Sequence, residues 1–215
     1  MENNTQEEEV SAPTEIHMVV EKKENFWKKH AQGAWDLIRF AVIALAIVIP
    51  IRLWIAQPFI VSGESMFPTF NHGEYLIIDE LSYNTGEPHR GDVVIFHYPK
   101  NPSVYFIKRV IGLPGEIIEI TNGKVKIIPH CPDTAICADT SFTLTEPYIN
   151  EKFTTTGRYE LGPEDYFVLG DNRNRSSDSR SWGTVPRKLM VGRAYLRLLP
   201  FTSVSYLPGY FKEAK

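Results

Sequence analysis

One apolar run, 37–55, constrains this chain of 215 residues more than any other feature, and it reads LIRFAVIALAIVIPIRLWI. A transmembrane helix needs about 20 predominantly apolar residues, and this run has that length. Arg39 and Arg52 lie near its ends, where long side chains reach the membrane surface, and Pro50 in its last turns is expected to kink it. A buried helix of a soluble protein is the alternative, but the run has no polar face. The sequence therefore predicts one transmembrane helix at 37–55.

The charges that flank this run predict its orientation. Five basic residues precede or open it, namely Lys22, Lys23, Lys28, Lys29 and Arg39. After Arg52 the next basic residue is Arg90. Because cytoplasmic flanks carry the excess of lysine and arginine, the N-terminus is predicted to be cytoplasmic and residues 56–215 to lie across the membrane. Residues 1–36 form a tail whose first 24 residues hold seven glutamates and few apolar side chains, so it is predicted to be disordered.

Residues 56–215 carry short apolar runs between turns rich in glycine and proline, which is typical of a β domain. The runs are Phe59–Val61, Tyr75–Asp79, Asp92–Phe96, Tyr105–Ile111, Glu116–Ile120, Lys124–Ile128, Tyr166–Leu169 and Arg193–Leu199. Asn122-Gly123 predicts a two-residue hairpin, and no helical period appears after residue 57. We therefore predict a mostly β fold of curved antiparallel sheets. Residues 121–164 hold two cysteines and a polar run, and are predicted to be a smaller β insertion.

Charge and cysteine content limit the function. The net charge is -3, which gives no indication of nucleic-acid binding. Cys131 and Cys137 are the only cysteines, and they would either close a short loop in an oxidising compartment or remain two buried thiols. Their spacing fits no zinc site and no histidine pair completes one. No metal or cofactor is predicted.

Directly after the apolar run, the stretch 62–69 reads SGESMFPT and places a serine, Ser65, between a glycine and a proline. Serine is a weak nucleophile unless a base lies within hydrogen-bond reach. The candidate base is Lys108 in the stretch 105–115, YFIKRVIGLPG. Strand alternation puts Phe106 and Val110 on the face of Lys108, where desolvation favours the neutral amine. Alternation alone would equally allow a charged lysine on an open face, and Arg109 cannot be the base because guanidinium stays protonated.

Two further stretches complete a pattern. Residues 91–96 read GDVVIF, and residues 170–180 read GDNRNRSSDSR. Together with the stretches around Ser65 and Lys108, in this order and after an apolar helix, they resemble the bacterial type I signal peptidases. The resemblance extends from about Leu37 to the end of the chain.

The resemblance implies roles for several residues. Ser65 would be the nucleophile and Lys108 the general base, with Ser176 bonded to the amine of Lys108. Asp178 and Arg180 would pair and brace the loop. The backbone N–H of Ser65 would stabilise the oxyanion. Some members add a serine hydroxyl two residues earlier, where this chain has Gly63. The second oxyanion donor therefore stays open, and a backbone N–H near Gly63 is one candidate. Some members also carry a cysteine pair at this spacing, which, with the predicted topology, favours a Cys131–Cys137 disulfide.

The resemblance further implies a small apolar substrate pocket. Its predicted walls are Phe59, Val61, Met66, Ile95, Phe106 and Ile107. Such a pocket accepts alanine at the first and third residues before the cut and excludes large side chains. The alternative is that these six residues belong to the core.

These observations predict a membrane-anchored serine endopeptidase that removes N-terminal signal peptides from exported preproteins at the outer face of the bacterial inner membrane. Its expected partners are signal peptides and the lipid bilayer, without nucleic acid or an obligate protein partner. Three alternatives stay open: a self-cleaving LexA-like protein, for which residues 1–36 offer no DNA-binding helix pair; a processing peptidase with one substrate; and a non-catalytic anchored β module.

Overall fold

The computed structural model describes residues 26–54, 56–129 and 140–211. Cys131, Cys137 and most of the acidic tail lie outside the described residues, so neither the predicted disulfide nor the predicted disorder is tested. The chain divides into two compact units, residues 1–46 and 47–215.

One long helix, α1, covers Phe26–Trp54 and includes nearly all of the apolar run. It begins well before Leu37, and no proline interrupts the sequence from Phe26 until Pro50. The large apolar side chains from Trp35 to Ile49 are exposed. Within the three described ranges, no helix combines the length and the apolarity required of a membrane span.

An antiparallel sheet forms most of the second unit. Its strands are β1 (Ala56–Ile60), β2 (Tyr75–Asp79), β3 (Val93–Tyr98), β4 (Asn101–Gly112), β9 (Asp165–Leu169), β10 (Val185–Pro186), β11 (Met190–Leu199) and β12 (Ser205–Tyr206). The order across the sheet is β1-β2-β11-β3-β4-β9-β10, and β12 pairs with β11. The strand before Ser65 and the strand carrying Lys108 are therefore both built into one sheet.

A smaller antiparallel sheet has the order β7-β6-β5-β8. Its strands are β5 (Ile117–Thr121), β6 (Lys124–Ile128), β7 (Phe142–Thr143) and β8 (Gly157–Glu160). The predicted hairpin is present: β5 pairs with β6 through Asn122 and Gly123, whose φ angles of 48° and 77° fit the two-residue turn. β5 belongs to this sheet and begins at Ile117, whereas the insertion is predicted to begin at residue 121.

The mostly β antiparallel fold predicted from the sequence is confirmed, and each predicted strand overlaps an observed one. Alternation was the reliable signal, as in β2, where Leu76 and Ile78 are buried and their neighbours half-buried. The strands missed by the prediction have two to four residues, too few to show a period. Two short helices, α2 (Leu81–Thr85) and α3 (Ser179–Trp182), also escaped it for this reason.

The apolar core lies in separate clusters. One cluster surrounds the turn that carries Ser65 and contains Val61, Met66, Phe70, Leu76, Ile78, Val93, Ile95 and Ala194. A second joins the two sheets and contains residues of β4, β5, β6 and β9, among them Ile111, Ile118, Ile127 and Phe167. The serine turn therefore rests on a packed base, and packed side chains resist displacement.

Candidate active site

Ser65 lies in the serine turn, the loop 61–74 that connects β1 to β2. The turn is closed at its base, where Val61 N–H donates to Glu74 O and Gly73 N–H donates to Val61 O, both at 2.9 Å. Gly63 has φ of +91°, a conformation that residues with a side chain rarely adopt. The carbonyl of Ser65 accepts a hydrogen bond of 3.0 Å from Asn172 N–H. The serine is thus tied to the loop 170–180, which is distant in sequence.

Lys108 reaches Ser65 from strand β4. Its Nζ lies 2.8 Å from Ser65 Oγ and donates to Ile107 O at 2.8 Å. β4 is held on both sides, by β3, where Val94 faces Lys108, and by β9, where Leu169 faces Arg109. Because a strand bonded on both edges cannot shift without breaking its ladder, the position of Nζ is fixed by the sheet.

The environment of Lys108 favours its neutral form. The residue is only 4% exposed, and burial lowers its pKa from 10.5 to about 8, against the opposing effect of the carboxylates of Asp178 and Asp171. The ring of Phe106 lies 5.1 Å from Nζ. An amine with this pKa is partly neutral near pH 8, so it can accept a proton from the hydroxyl it touches.

A buried ion pair lies next to Lys108 on the opposite face of β4, and the sequence did not reveal it. Arg109 is fully buried and donates two hydrogen bonds to Asp171, at 2.8 and 2.5 Å. Asp171 also accepts from Thr69 Oγ1 at 2.5 Å, and Thr69 is four residues beyond Ser65. The pair therefore ties β4, the serine turn and the loop 170–180 together. The sequence offered only one signal, an arginine inside an apolar strand.

Asp178 and Arg180 form a second ion pair within the loop 170–180. Arg180 donates to the two carboxylate oxygens of Asp178 at 2.7 and 2.8 Å. Asp178 also accepts from Gly170 N–H at 3.1 Å, and Arg180 donates to Arg173 O at 2.6 Å. Bidentate pairs of this kind fix geometry as well as adding energy, so the loop is braced from inside.

Ser176 lies close to Ser65 but makes no hydrogen bond there. A Cβ atom added to Gly170 would lie 2.2 Å from Ser176 Oγ and 2.4 Å from Ser65 O, so the three residues are in close contact. Among the described residues, however, the buried Ser176 Oγ has no hydrogen-bond partner. The predicted bond from Ser176 to Lys108 stays a prediction, as does the role of the serine.

A cavity of about 310 Å³ opens beside Ser65 and Lys108. Of the six predicted walls, five line it: Phe59, Val61, Ile95, Phe106 and Ile107. The structure places Met66 elsewhere, fully buried in the cluster that supports the serine turn. Leu76 and Tyr105, which the sequence did not indicate, also line the cavity. Apolar side chains on several strands make it suited to small apolar groups.

The two backbone N–H groups considered for the oxyanion differ in availability. Within the described part of the chain, no group accepts a hydrogen bond from Ser65 N–H. Gly63 N–H, in contrast, donates to His72 Nδ1 at 3.2 Å. Ser65 N–H is therefore free to stabilise an oxyanion, whereas Gly63 N–H is engaged. His72 lies in none of the stretches that carry the family resemblance, so the sequence did not indicate this contact.

The arrangement can perform nucleophilic chemistry with a hydroxyl and an amine. A buried lysine within hydrogen-bond reach of a serine can activate it as a histidine does in other serine peptidases. In the ranges 26–54, 56–129 and 140–211, no three histidine, cysteine, aspartate or glutamate side chains are grouped as metal ligands. The residues present fit proton transfer by Lys108 and attack by Ser65.

Comparison with known proteins agrees with this geometry. Residues 34–199 match the family described as "Signal peptidase, peptidase S26". A signal peptidase I of Leptolyngbya laminosa is 37% identical, with 78% of this chain and 82% of that protein covered. A probable signal peptidase I-2 of Synechocystis is 35% identical, with 82% and 78% covered. The chain therefore belongs to the signal peptidase family, peptidase family S26, and is a hydrolase of the serine peptidase class.

Proposed function

We propose that this chain removes N-terminal signal peptides from exported preproteins, with Ser65 as nucleophile and Lys108 as general base. The observation that carries the proposal is the 2.8 Å contact between Ser65 Oγ and the buried amine of Lys108. Burial supports it, because it holds the pKa of Lys108 at about 8 rather than 10.5. A lysine with an ordinary pKa would be protonated near pH 7 and could not accept a proton.

The acylation step follows from this geometry. Neutral Lys108 takes the proton from Ser65 Oγ as that oxygen bonds to the scissile carbonyl carbon. The developing oxyanion accepts a hydrogen bond from Ser65 N–H. The tetrahedral intermediate then collapses, the C–N bond breaks, and Lys108 returns its proton to the leaving amine.

Deacylation repeats the cycle with water. Lys108, neutral again, takes a proton from a water molecule as the water oxygen bonds to the acyl carbon. The ester bond to Ser65 breaks, and the proton returns to Oγ. The signal peptide leaves with a new carboxyl terminus, the mature chain having left earlier with a new amine.

Substrate selection would come from the cavity beside Ser65. Phe59, Val61, Ile95, Phe106 and Ile107 leave a space of about 310 Å³ that also contains the two reacting groups. Alanine at the first and third residues before the cut would be accepted by such apolar walls, and phenylalanine would be selected against, as the family resemblance implies. The proposed substrate class is therefore a signal peptide with small residues at these two positions.

The proposed location is the outer face of the bacterial inner membrane. The length and apolarity of the run 37–55 support an anchor, and the basic residues before it support a cytoplasmic N-terminus. The peptidase unit would then meet preproteins as they emerge. Signal peptides and the bilayer are the proposed partners. Cys131 and Cys137 would form their disulfide in this compartment.

The proposal is tested by cleavage of a preprotein with purified protein. Wild type is expected to release the mature chain, and Ser65→Ala and Lys108→Met are each expected to lose turnover by orders of magnitude. Lys188→Met, which removes an exposed lysine, is the matched control and should cleave normally. Normal cleavage by folded Lys108→Met would refute the assignment of the base. Mass spectrometry of the trapped acyl-enzyme should locate it on Ser65.

A further inference from the structure

A second cavity, of about 640 Å³, adjoins the serine turn and has no role in the chemistry described above. We call it the exit cavity. Its walls include Phe67, Pro68, Phe70, His72, Asn150 and Glu151. Glu64 and Arg175 line both the exit cavity and the cavity beside Lys108. The two cavities therefore meet at this pair, and Glu64 is the residue immediately before Ser65 in the sequence.

The position of Ser65 decides which half of a peptide each cavity could hold. Ser65 and Lys108 line the smaller, apolar cavity, so the residues before the cut lie there. The bond that breaks must lie at Ser65 Oγ, and an extended peptide advances by about 3.3 Å per residue. The residues after the cut therefore pass Glu64 and Arg175 and reach the exit cavity within a few residues.

Most charges at the exit cavity are neutralised. Glu64 and Arg175 form an exposed ion pair of 2.7 Å. Asp171 is neutralised by Arg109, with which it forms a buried bidentate pair. These carboxylates therefore add little net charge to the cavity.

Glu151 is different. It accepts hydrogen bonds of 3.2 and 2.7 Å from the backbone N–H and the side-chain amide of Asn174. These donors are neutral, and among the described residues no cation pairs with Glu151. Hydrogen bonds from amides orient a carboxylate but leave its charge. The exit cavity thus presents one oriented carboxylate without a counter-ion.

We propose that the exit cavity binds the first residues of the mature chain and that Glu151 sets a charge preference there. This inference rests on the proposed function. Basic side chains at the second or third residue after the cut would be favoured, and acidic ones disfavoured. Glu151 is thereby a specificity-determining residue on the side of the leaving group.

The test uses peptides that are identical up to and including the first residue after the cut. They differ only in carrying lysine, glutamine or glutamate at the next two positions. Wild type is expected to give kcat/KM in the order lysine, glutamine, glutamate, with about twofold to fivefold per step, as for one partly exposed charge. Glu151→Gln should make the three peptides equal. Glu160→Gln, which removes an exposed carboxylate paired only at 3.6 Å, is the matched control and should preserve the order.

A second substrate has a small chromogenic amine as its leaving group and no residues after the cut. It tests whether Glu151 acts by binding the residues after the cut or by supporting the fold. Glu151→Gln should cleave it at the wild-type rate, because nothing then occupies the exit cavity. A loss of activity on this substrate would show that Glu151 acts on the fold, and would overturn the inference. The inference would also be overturned if Glu151→Gln kept the order of kcat/KM among the lysine, glutamine and glutamate peptides. It would equally be overturned if wild type showed no such order. Failure of wild type to cleave every peptide would reject the proposed function and this inference with it.

Discussion

Replacing Lys108 by methionine separates what the buried amine does for catalysis from what it costs the fold. Methionine keeps the length of the side chain and its apolar contacts but removes the nitrogen. Burial lowers the pKa of Lys108 from 10.5 to about 8. At 1.36 kcal/mol per unit, keeping the charged form in the fold costs about 3 kcal/mol.

The sign of the pH dependence follows from proton uptake. The unfolded chain, with the higher pKa, binds more protons than the folded chain between pH 8 and 10.5, so stability rises with pH in that window. Below about pH 8 the full cost is present. Relative to wild type, Lys108→Met is therefore expected to gain about 3 kcal/mol at pH 7 and about 1 kcal/mol at pH 9.5. The loss of the hydrogen bonds to Ser65 and Ile107 lowers both values together, so the difference of about 2 kcal/mol is the diagnostic quantity.

Urea denaturation at the two pH values measures this difference, with Lys188→Met as the control that should show none. For wild type, kcat/KM should rise about tenfold from pH 7 to pH 9 and level off, because the neutral fraction of an amine with pKa about 8 rises in that ratio. A flat profile over this range would refute the neutral-amine mechanism. An equal stability change of Lys108→Met at both pH values would refute the assigned pKa shift.

The remaining predictions concern the ion pair, the specificity, the disulfide and the topology. Arg109→Met should destabilise the protein by about 3–5 kcal/mol in urea denaturation, since Asp171 is left charged and buried; Arg158→Met, at an exposed pair, should cost under about 1 kcal/mol, and similar values for the two would contradict the argument. A preprotein with phenylalanine before the cut should be cleaved at least about 100-fold more slowly than one with alanine, and equal rates would exclude a small pocket. Cys131→Ser should stay active while losing about 2 kcal/mol of stability; thiol labelling of native protein at Cys131 and Cys137 would exclude the bridge. A reporter fused to the C-terminus should work only if it functions outside the cytoplasm, and cytoplasmic reporter activity would reject the topology.

The sequence predicted those parts of the site that depend on local pattern. Alternation along β4 placed Lys108 among apolar neighbours, and the structure shows it buried there. The walls on β1, β3 and β4 that line the cavity were supplied by the family resemblance. Strand period alone would not select them, because Phe106 and Ile107 are consecutive on β4 and start on opposite faces. Met66, which the resemblance also implied as a wall, is buried in the core instead. It lies beyond Gly63, whose positive φ ends the extended backbone. Beyond such a turn, side-chain direction depends on packing rather than on period.

Long-range pairings could not be read from the sequence. Arg109 and Asp171 are separated by 62 positions, and nothing local selects one carboxylate among the many available. Arg109 and Asp171 become buried only when β4 lies between β3 and β9, and their burial is what makes loss of one partner costly. The same holds for the exit cavity, whose walls come from the serine turn, the segment near Glu151 and the loop 170–180.

The position of β11 has a consequence for how the enzyme is made. β11 lies between β2 and β3, so the strands next to Ser65 and the strand before Lys108 are joined in the sheet through residues 190–199. Arg109 is likewise bound by the carbonyl of Gly209, near the C-terminus. A nascent chain in which residues 190–209 have not yet been synthesised contains both Ser65 and Lys108. It lacks the strand that joins their parts of the sheet. We expect the peptidase to be inactive until residues 190–209 have been synthesised and folded onto the sheet.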